Sequence, residues 1–381
     1  MSRTLRAGIN AIFLEPGMGG LETYVLELMP ALLRAERPLE LTVLCNARGR
    51  ELLAAQPWSG SVRLVTPAAT RRGLRALYEL GPLGATASRH FDVVHSPALT
   101  APILTRAANV VVLADTTWIS MPDRGRGQKA TVRLWQTVVP RVARRADRVI
   151  AISDASAKDV ETHLGVNRER IDVVPLGYGT PARTEPTPAE EVREKLGIGT
   201  GPIVLNVAVK KRHKNQLRLV QAFSGVRQAA PDAQLVLAGA QTPYEEVLRA
   251  EAARLGIEAA VVFPGYVSDR DLEGLYAAAS VFVFPSLNEG FGLPVLEAMS
   301  RDVPVVTSAA SSLPEVAGDA ALLVDPTSVD EIERATVEVL CDEGLRERLS
   351  RAGRLRPPVF SWDRTAEGTL ASWERAMAPG D

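Results

Sequence analysis

Short apolar runs alternate with amphipathic stretches along nearly the whole chain. Residues 8–14 form an apolar run with β-branched content, and residues 15–20 a loop holding Gly17, Gly19 and Gly20. Residues 21–33 then place Leu21, Val25, Leu28, Met29 and Leu32 at helical spacing. A short continuous run followed by period 3.6 predicts strand, loop and helix. Further strands are predicted at 39–44, 62–65, 92–95, 110–113 and 149–152, the last followed by Ser153-Asp154, a good N-cap for the next helix. The second half repeats the alternation more clearly, with strands predicted at 203–209, 235–238, 261–263, 281–284, 303–306 and 321–324. Continuous apolar strands between amphipathic helices predict parallel sheets covered on both faces. The segment GTPARTEPTP from Gly179 to Pro188 holds three prolines, which break helix and strand alike, and it reads as a linker between two domains. In such sheets ligands bind beyond the carboxyl ends of the strands, so the loops there are where chemistry is expected.

Length supports the division, since 381 residues suit two domains better than one. Charge sharpens it. The net charge of −1 conceals 23 basic and 16 acidic residues in 1–180 against 21 and 29 in 181–381, that is +7 and −8. Two halves of opposite character suit two units with different partners. Composition is that of an ordinary globular chain, 46% apolar and 23% charged. Cys45 and Cys341 lie far apart in sequence and read as two buried, reduced thiols. No Cys/His cluster has metal-ligand spacing; the four histidines are His90, His95, His163 and His213. The first apolar run is too short for a secretory h-region, and no stretch of about 18 apolar residues exists, so no membrane span is expected and the expected location is cytoplasmic.

Three strand-to-helix loops carry candidate chemistry. The first is SLNEGFGLPVLEAM, residues 286–299, after the strand VFVF. Gly290 and Gly292 leave backbone N–H groups at a helix start, where anions and hydroxyl oxygens are well received. Glu289 in the loop and Glu297 about two turns on can each accept hydrogen bonds from adjacent sugar or ribose hydroxyls; the alternative is two solvated carboxylates beside a glycine-rich cap. The second is NVAVKKRHKNQ, residues 206–216. The chain has six lysines against 38 arginines, and Lys210, Lys211 and Lys214 fall within five residues. A compact ammonium suits a diphosphate whose charge shifts as its bond breaks; the alternative is a solvated basic loop. The third is EPGMGGLETY, residues 15–24, whose glycines allow close backbone approach to a phosphate or sugar. Its G-x-G-G spacing is not a full dinucleotide fingerprint, and by itself it reads equally as a tight turn.

The segment E-G-F-G-L-P-V-L-E, with Glu289 and Glu297 eight residues apart, resembles the E-x7-E motif of the retaining GT-B glycosyltransferases of family 4. G-G-L-E at 19–22 resembles that family's N-terminal glycine loop. ADRVIAISDAS at 146–156 and RIDVVPLG at 170–177 resemble its closing first-domain strands. HKNQLRLVQAF, FPGYVSDRDL, SLPEVAGDAALLVDP and FSWDRTAEGTL resemble blocks of its second domain. The resemblance implies an α/β fold of GT-B type, two Rossmann-like doubly wound parallel-sheet domains facing a cleft. It implies an acceptor-side domain at 1–180, a nucleotide-sugar donor domain at 181–360, and a closing helix at 361–381 packing back on the first domain.

Roles follow from the resemblance residue by residue. Glu289 would hold the donor sugar near the reacting carbon, with the backbone of Gly290, Phe291, Gly292 and Leu293 beside it. Glu297 would hold the ribose, Lys214 would neutralise the diphosphate, and Gly19 and Gly20 would approach the phosphate from the first domain. No metal or cofactor is expected. Two positions depart from the pattern. Where the family often has arginine, five residues before the lysine, stands Val209, with Lys210 or Arg212 as substitutes for its charge. Where it often has His-Asp stands Ala114-Asp115, leaving Asp115 and His95 as acceptor-side candidates; a satisfied strand-end histidine is the other reading of His95.

The function implied is retaining transfer of a hexose, a mannose-like one favoured, from a nucleoside-diphosphate sugar to a glycan, lipid-linked or small-molecule hydroxyl in glycan biosynthesis. The rivals are a GT-B-fold sugar-nucleotide epimerase, a phosphorylase of related fold, for which the sparse lysines offer no pyridoxal-phosphate context, and a non-catalytic sugar-nucleotide-binding protein. Nucleic acid is not an expected partner. Residues 124–148 hold eight basic residues and one acidic, with Leu134, Trp135, Val138, Val139 and Val142 at helical spacing. Such a helix suits peripheral contact with an anionic membrane at its inner face; alternatively its apolar stripe faces the domain core.

Overall fold

The computed structural model describes residues 3–67, 75–114, 116, 119, 129–179 and 185–378. The chain divides into two compact units, one formed by Met1–Gly179 with Phe360–Asp381 and the other by Thr180–Val359. In the first, seven strands form one parallel sheet: β1 (Leu5–Ala11), β2 (Leu39–Cys45), β3 (Arg63–Val65), β4 (Val93–Ser96), β5 (Ala108–Leu113), β6 (Arg148–Ala151) and β7 (Ile171–Val173). Their order is β3-β2-β1-β4-β5-β6-β7. The second has β8 (Ile203–Val207), β9 (Gln234–Ala238), β10 (Val261–Gly265), β11 (Val281–Phe284), β12 (Val305–Ser308) and β13 (Ala321–Val324), in the order β10-β9-β8-β11-β12-β13 and again parallel. Each sheet is thus doubly wound, and the order reverses between β1 and β4 and between β8 and β11. Both are Rossmann-like α/β units, the pair that makes a GT-B fold.

Strand boundaries differ from the hydropathy reading for physical reasons. The run at 8–14 is apolar because all of it is buried, yet the ladder with β2 runs only from Leu5↔Leu39 to Ala11↔Cys45. Ile12, Phe13 and Leu14 are buried in a turn closed by Leu14 N–H on Ala11 O at 3.0 Å. Apolarity reports burial, not pairing. β12 starts at Val305 because Pro304 has no N–H to give a ladder, although its carbonyl accepts Phe282 N–H at 2.9 Å. Cys45 is buried as expected, but Cys341 ends a helix and is exposed.

The last helix, Trp362–Met377, belongs to the first unit. Tyr178 N–H bonds Phe360 O at 2.7 Å, and Thr365 Oγ1 donates to Pro175 O at 2.8 Å. Asp172 in β7 gathers Arg148 Nε at 3.0 Å, Ser372 Oγ at 2.6 Å and Arg375 Nε at 3.0 Å. Burial pushes this carboxyl up, but the bonds from Arg148 and Ser372 outweigh it and hold it below the usual range. An ion pair that welds helix to strand explains a charged residue in the middle of a three-residue strand.

Candidate functional site

In the second unit the loops after β8 and β11 leave from the point where strand order reverses, the place where open α/β sheets bind ligands. The loop after β8 ends in a single 3-10 turn, Arg212–Lys214, and then Asn215, which takes the left-handed conformation with φ of 59°. Asn215 is buried and donates from Nδ2 to Pro285 O at 2.8 Å and Pro326 O at 2.6 Å. His213 O accepts both Leu287 N–H and Ser286 Oγ–H at 2.8 Å. These bonds hold the two loops together. As a result Lys214 Nζ lies 2.7 and 2.9 Å from the two carboxylate oxygens of Glu289, and 5.5 Å from the centroid of the Phe284 ring. The pair keeps only 16% and 12% of its side-chain exposure.

Glu289 is set from behind by two serines. Its N–H bonds Ser311 Oγ at 3.2 Å, and that hydroxyl lies 2.7 Å from Glu289 O and 2.9 Å from Asn288 Oδ1. Ser312 Oγ lies 2.6 Å from Phe291 O and 3.0 Å from Glu289 O. Phe291 is buried, while Gly290 and Leu293 are half-buried. Gly292 has φ of 118°, and a Cβ there would lie 2.7 Å from Leu313 Cδ2, so only glycine fits. It caps the helix Leu293–Ser300 without a side-chain acceptor, which leaves the dipole's positive end facing the loop. One turn further, Glu297 is half-buried and accepts Tyr276 O–H at 3.1 Å. Burial raises its carboxyl pKa, against the bond from Tyr276 and the charge of Arg301.

The lysine cluster separates. Lys211 and Arg212 are exposed and Lys214 meets Glu289, but Lys210 is fully buried with Nζ on Gly239 O at 2.6 Å. Val209 is half-buried. Among the described residues no group of three or more His, Cys, Asp or Glu is placed to hold a metal ion.

In the first unit the glycine loop follows β1. Gly17 and Gly19 have φ of 84° and 63°, and a Cβ at Gly17, Gly19 or Gly20 would meet nothing within 4 Å. The loop is shaped by Glu22, whose Oε2 accepts Gly17 N–H at 2.7 Å and Met18 N–H at 3.0 Å. Gly19 opens the helix Gly20–Arg34 with no side-chain cap. His95 is placed otherwise. It is fully buried, Trp373 Nε1–H donates to its Nδ1 at 3.2 Å, and its Nε2 lies 3.1 Å from the Tyr24 hydroxyl. With Nδ1 accepting, the neutral ring carries its proton on Nε2. Burial pushes its pKa down to about 3, so the ring is neutral at pH 7. Both ring nitrogens are committed inside the unit, which corrects the acceptor-side reading of His95. Asp115 lies outside the described residues.

The basic segment is described only in part. Residues 124–128 lie outside the described residues; the helix Lys129–Arg145 follows. Val139, Val142 and Ala143 are buried in the first unit's core, with Trp135 and Val138 packed against it, and Arg141, Arg144 and Arg145 are exposed. From Trp135 to Val142 the apolar stripe therefore faces protein, the core-facing alternative. No helix among the described residues is long and apolar enough to cross a membrane.

Ser311, Ser312, Asn288, Tyr276 and Asn215 were not singled out by the sequence reading. Asn215 and Ser312 do stand inside blocks that carry the resemblance, HKNQLRLVQAF and SLPEVAGDAALLVDP. Nothing local marked them as the groups that hold Lys214, Glu289 and Glu297 in place.

Comparison with known proteins adds independent evidence. The family model for group 1 glycosyl transferases matches residues 188–356, and the model for glycosyltransferase family 4 matches residues 18–180. The O-antigen chain mannosyltransferase B of Escherichia coli is 34% identical over 235 residues, 60% of this chain and 61% of its own length. The MMP alpha-(1->4)-mannosyltransferase of Mycolicibacterium hassiacum is 34% identical over 316 residues, 80% of this chain and 68% of its own. Among solved structures, Anabaena HepE in complex with UDP and glucose superposes with a TM-score of 0.72 at 21% identity, over 97% of this chain and 99% of that one. One model falls on each Rossmann-like unit, and a relative matches over more than two thirds of its length; the chain belongs to the group 1 glycosyltransferases of family 4, with the GT-B fold.

Proposed function

We propose that the protein is a retaining hexosyltransferase that moves a mannose-like hexose from a nucleoside-diphosphate sugar to a glycan hydroxyl, without a metal ion. The observation that carries this reading is the Lys214–Glu289 pair at the reversal point of the second sheet. It sets one cation and one hydroxyl-binding carboxylate side by side, where a diphosphate and a sugar can bind next to each other. Glu289 takes the sugar hydroxyls, with the backbone from Gly290 to Leu293 beside them. Glu297 takes the ribose, and Lys214 takes the diphosphate. The second unit is then the donor side and the first the acceptor side. The names of the relatives favour mannose, and the UDP and glucose bound by HepE favour a nucleoside-diphosphate hexose donor.

In the step we infer, the bond from the anomeric carbon to the diphosphate oxygen breaks and the acceptor oxygen bonds the same carbon from the same face. The acceptor's proton passes to the departing phosphate oxygen. No protein nucleophile is needed, so catalysis is positioning together with stabilisation of the leaving charge by Lys214 and the dipole of the helix Leu293–Ser300. The test is incubation with labelled GDP- and UDP-hexoses, with and without glycan acceptors, in the presence of a chelator. Transfer only when acceptor is present, with an axial linkage retained from an axial donor, is the expected result. Interconversion of the donor without acceptor would make the protein an epimerase, and binding without turnover a sugar-nucleotide-binding protein.

A further inference from the structure

Lys210 stands four residues before Lys214, yet it points into the second unit's interior. It is fully buried, with 0% exposure. Nζ donates to Gly239 O at 2.6 Å, and the Lys210 carbonyl accepts Thr242 Oγ1–H at 2.5 Å. Ala208 N–H bonds Ala238 O at 3.0 Å. Gly239 itself has φ of 121°, and a Cβ there would lie 2.4 Å from Ala208 O, so the turn after β9 lies hard against the start of the loop after β8. Three hydrogen bonds therefore fasten residues 208–210 to residues 238–242.

At its other end the same loop is fastened by Asn215 to Pro285 O and Pro326 O. Residues 211–214 run between these two fixed points, held along the way by His213 O on Leu287 N–H and Ser286 Oγ–H. Their span sets where Lys214 Nζ arrives, and it arrives on Glu289. Desolvating an ammonium is costly, and fully buried lysines are rare. Burial pushes the Lys210 pKa down to about 8, with the charge of Glu245 opposing this and that of Arg249 adding to it, both from the helix Tyr244–Arg254. An apolar chain of equal length would fill the space without that cost, but it could not bond the Gly239 carbonyl.

We propose that Lys210 is a positioning residue of the donor site: its buried ammonium fastens the loop after β8 to the turn after β9 and so places Lys214 against Glu289 and the donor diphosphate. The proposal rests on the reading of that site as a nucleoside-diphosphate site. Calorimetry with GDP and UDP as probes tests it on wild type, Lys210→Met, Lys214→Ala and the double variant. Lys210→Met should weaken binding about tenfold, or about 1.4 kcal/mol, when Lys214 is present. It should add nothing once Lys214 is alanine, because it acts through that residue. Thr242→Val, which removes the bond to the Lys210 carbonyl and the longer one that Thr242 Oγ1 accepts from Tyr244 N–H, should give a smaller loss with the same dependence on Lys214, and it serves if Lys210→Met does not fold. Equal losses in both Lys214 backgrounds would overturn the proposal, since Lys210 would then act on the ligand or the fold directly; no loss from either variant would overturn it too. A wild type that binds neither diphosphate sinks the donor-site reading and this proposal together, whereas tight binding indifferent to Lys210 sinks this proposal alone.

Discussion

Replacing Glu289 by alanine perturbs stability and transfer by different mechanisms, and the two can be read separately. Two charge-assisted hydrogen bonds, at 2.7 and 2.9 Å, disappear. Lys214 is left with 16% exposure and no carboxylate. Breaking a fully buried pair costs about 3–5 kcal/mol, mostly through the orphaned charge. Residual exposure lets water reach Lys214, so a loss of about 2 kcal/mol is expected by urea unfolding. Removing Lys214 as well should restore part of it, because no charge is then stranded. Turnover should fall more, on the order of a hundredfold or more, because the donor sugar loses its hydroxyl acceptor where charge develops. Glu289→Gln keeps the shape and an acceptor oxygen but not the charge, and should fall between wild type and alanine in both assays. Rates are taken with the donor that wild type uses, at urea-free conditions where each variant is folded. Turnover of the alanine variant within about threefold of wild type would remove Glu289 from the active site, whatever its effect on stability.

Three further outcomes follow from the geometry. Lys210 is held down to about 8 from an ordinary 10.5, so between those values the unfolded chain keeps a proton that the native chain has released; stability should rise with pH across that window by about 3 kcal/mol, and Lys210→Met should lack the rise when its urea curves are subtracted from those of wild type. Gly292→Ala meets both a φ of 118° and Leu313 Cδ2 at 2.7 Å, so it should cost about 2 kcal/mol in unfolding experiments and slow transfer by displacing the start of the helix Leu293–Ser300. Trp373→Phe leaves His95 Nδ1 a buried acceptor without its donor and should lower stability by about 1–2 kcal/mol at pH 7; an unchanged unfolding midpoint would refute the assigned tautomer.

The parallel sheets were legible in the sequence because strands buried on both faces must be continuously apolar, as VFVF at β11 is. Strand ends were less so, because Ile12 to Leu14 are as apolar as β1 without joining its ladder. β7 has Asp172 at its centre and no apolar run to show; only the likeness of RIDVVPLG to a known block marked it. The candidate chemistry divides along the same line. Three lysines in five residues are visible as composition, but a loop has no period, so nothing local says that Lys210 turns inward and Lys214 outward. His95 after a strand looked available because its partners, Tyr24 and Trp373, lie 71 and 278 residues away. The basic helix Lys129–Arg145 shows one stripe that would serve a bilayer or a core equally, and the choice is made by β-strands that pack under Val139 and Val142. Residue type thus limits what a group can do, while distant partners decide whether it is free to do it. Lys214 illustrates both halves: its neighbours in sequence mark it as a cation in a strand-end loop, and a carboxylate 75 residues on fixes the direction in which that cation points.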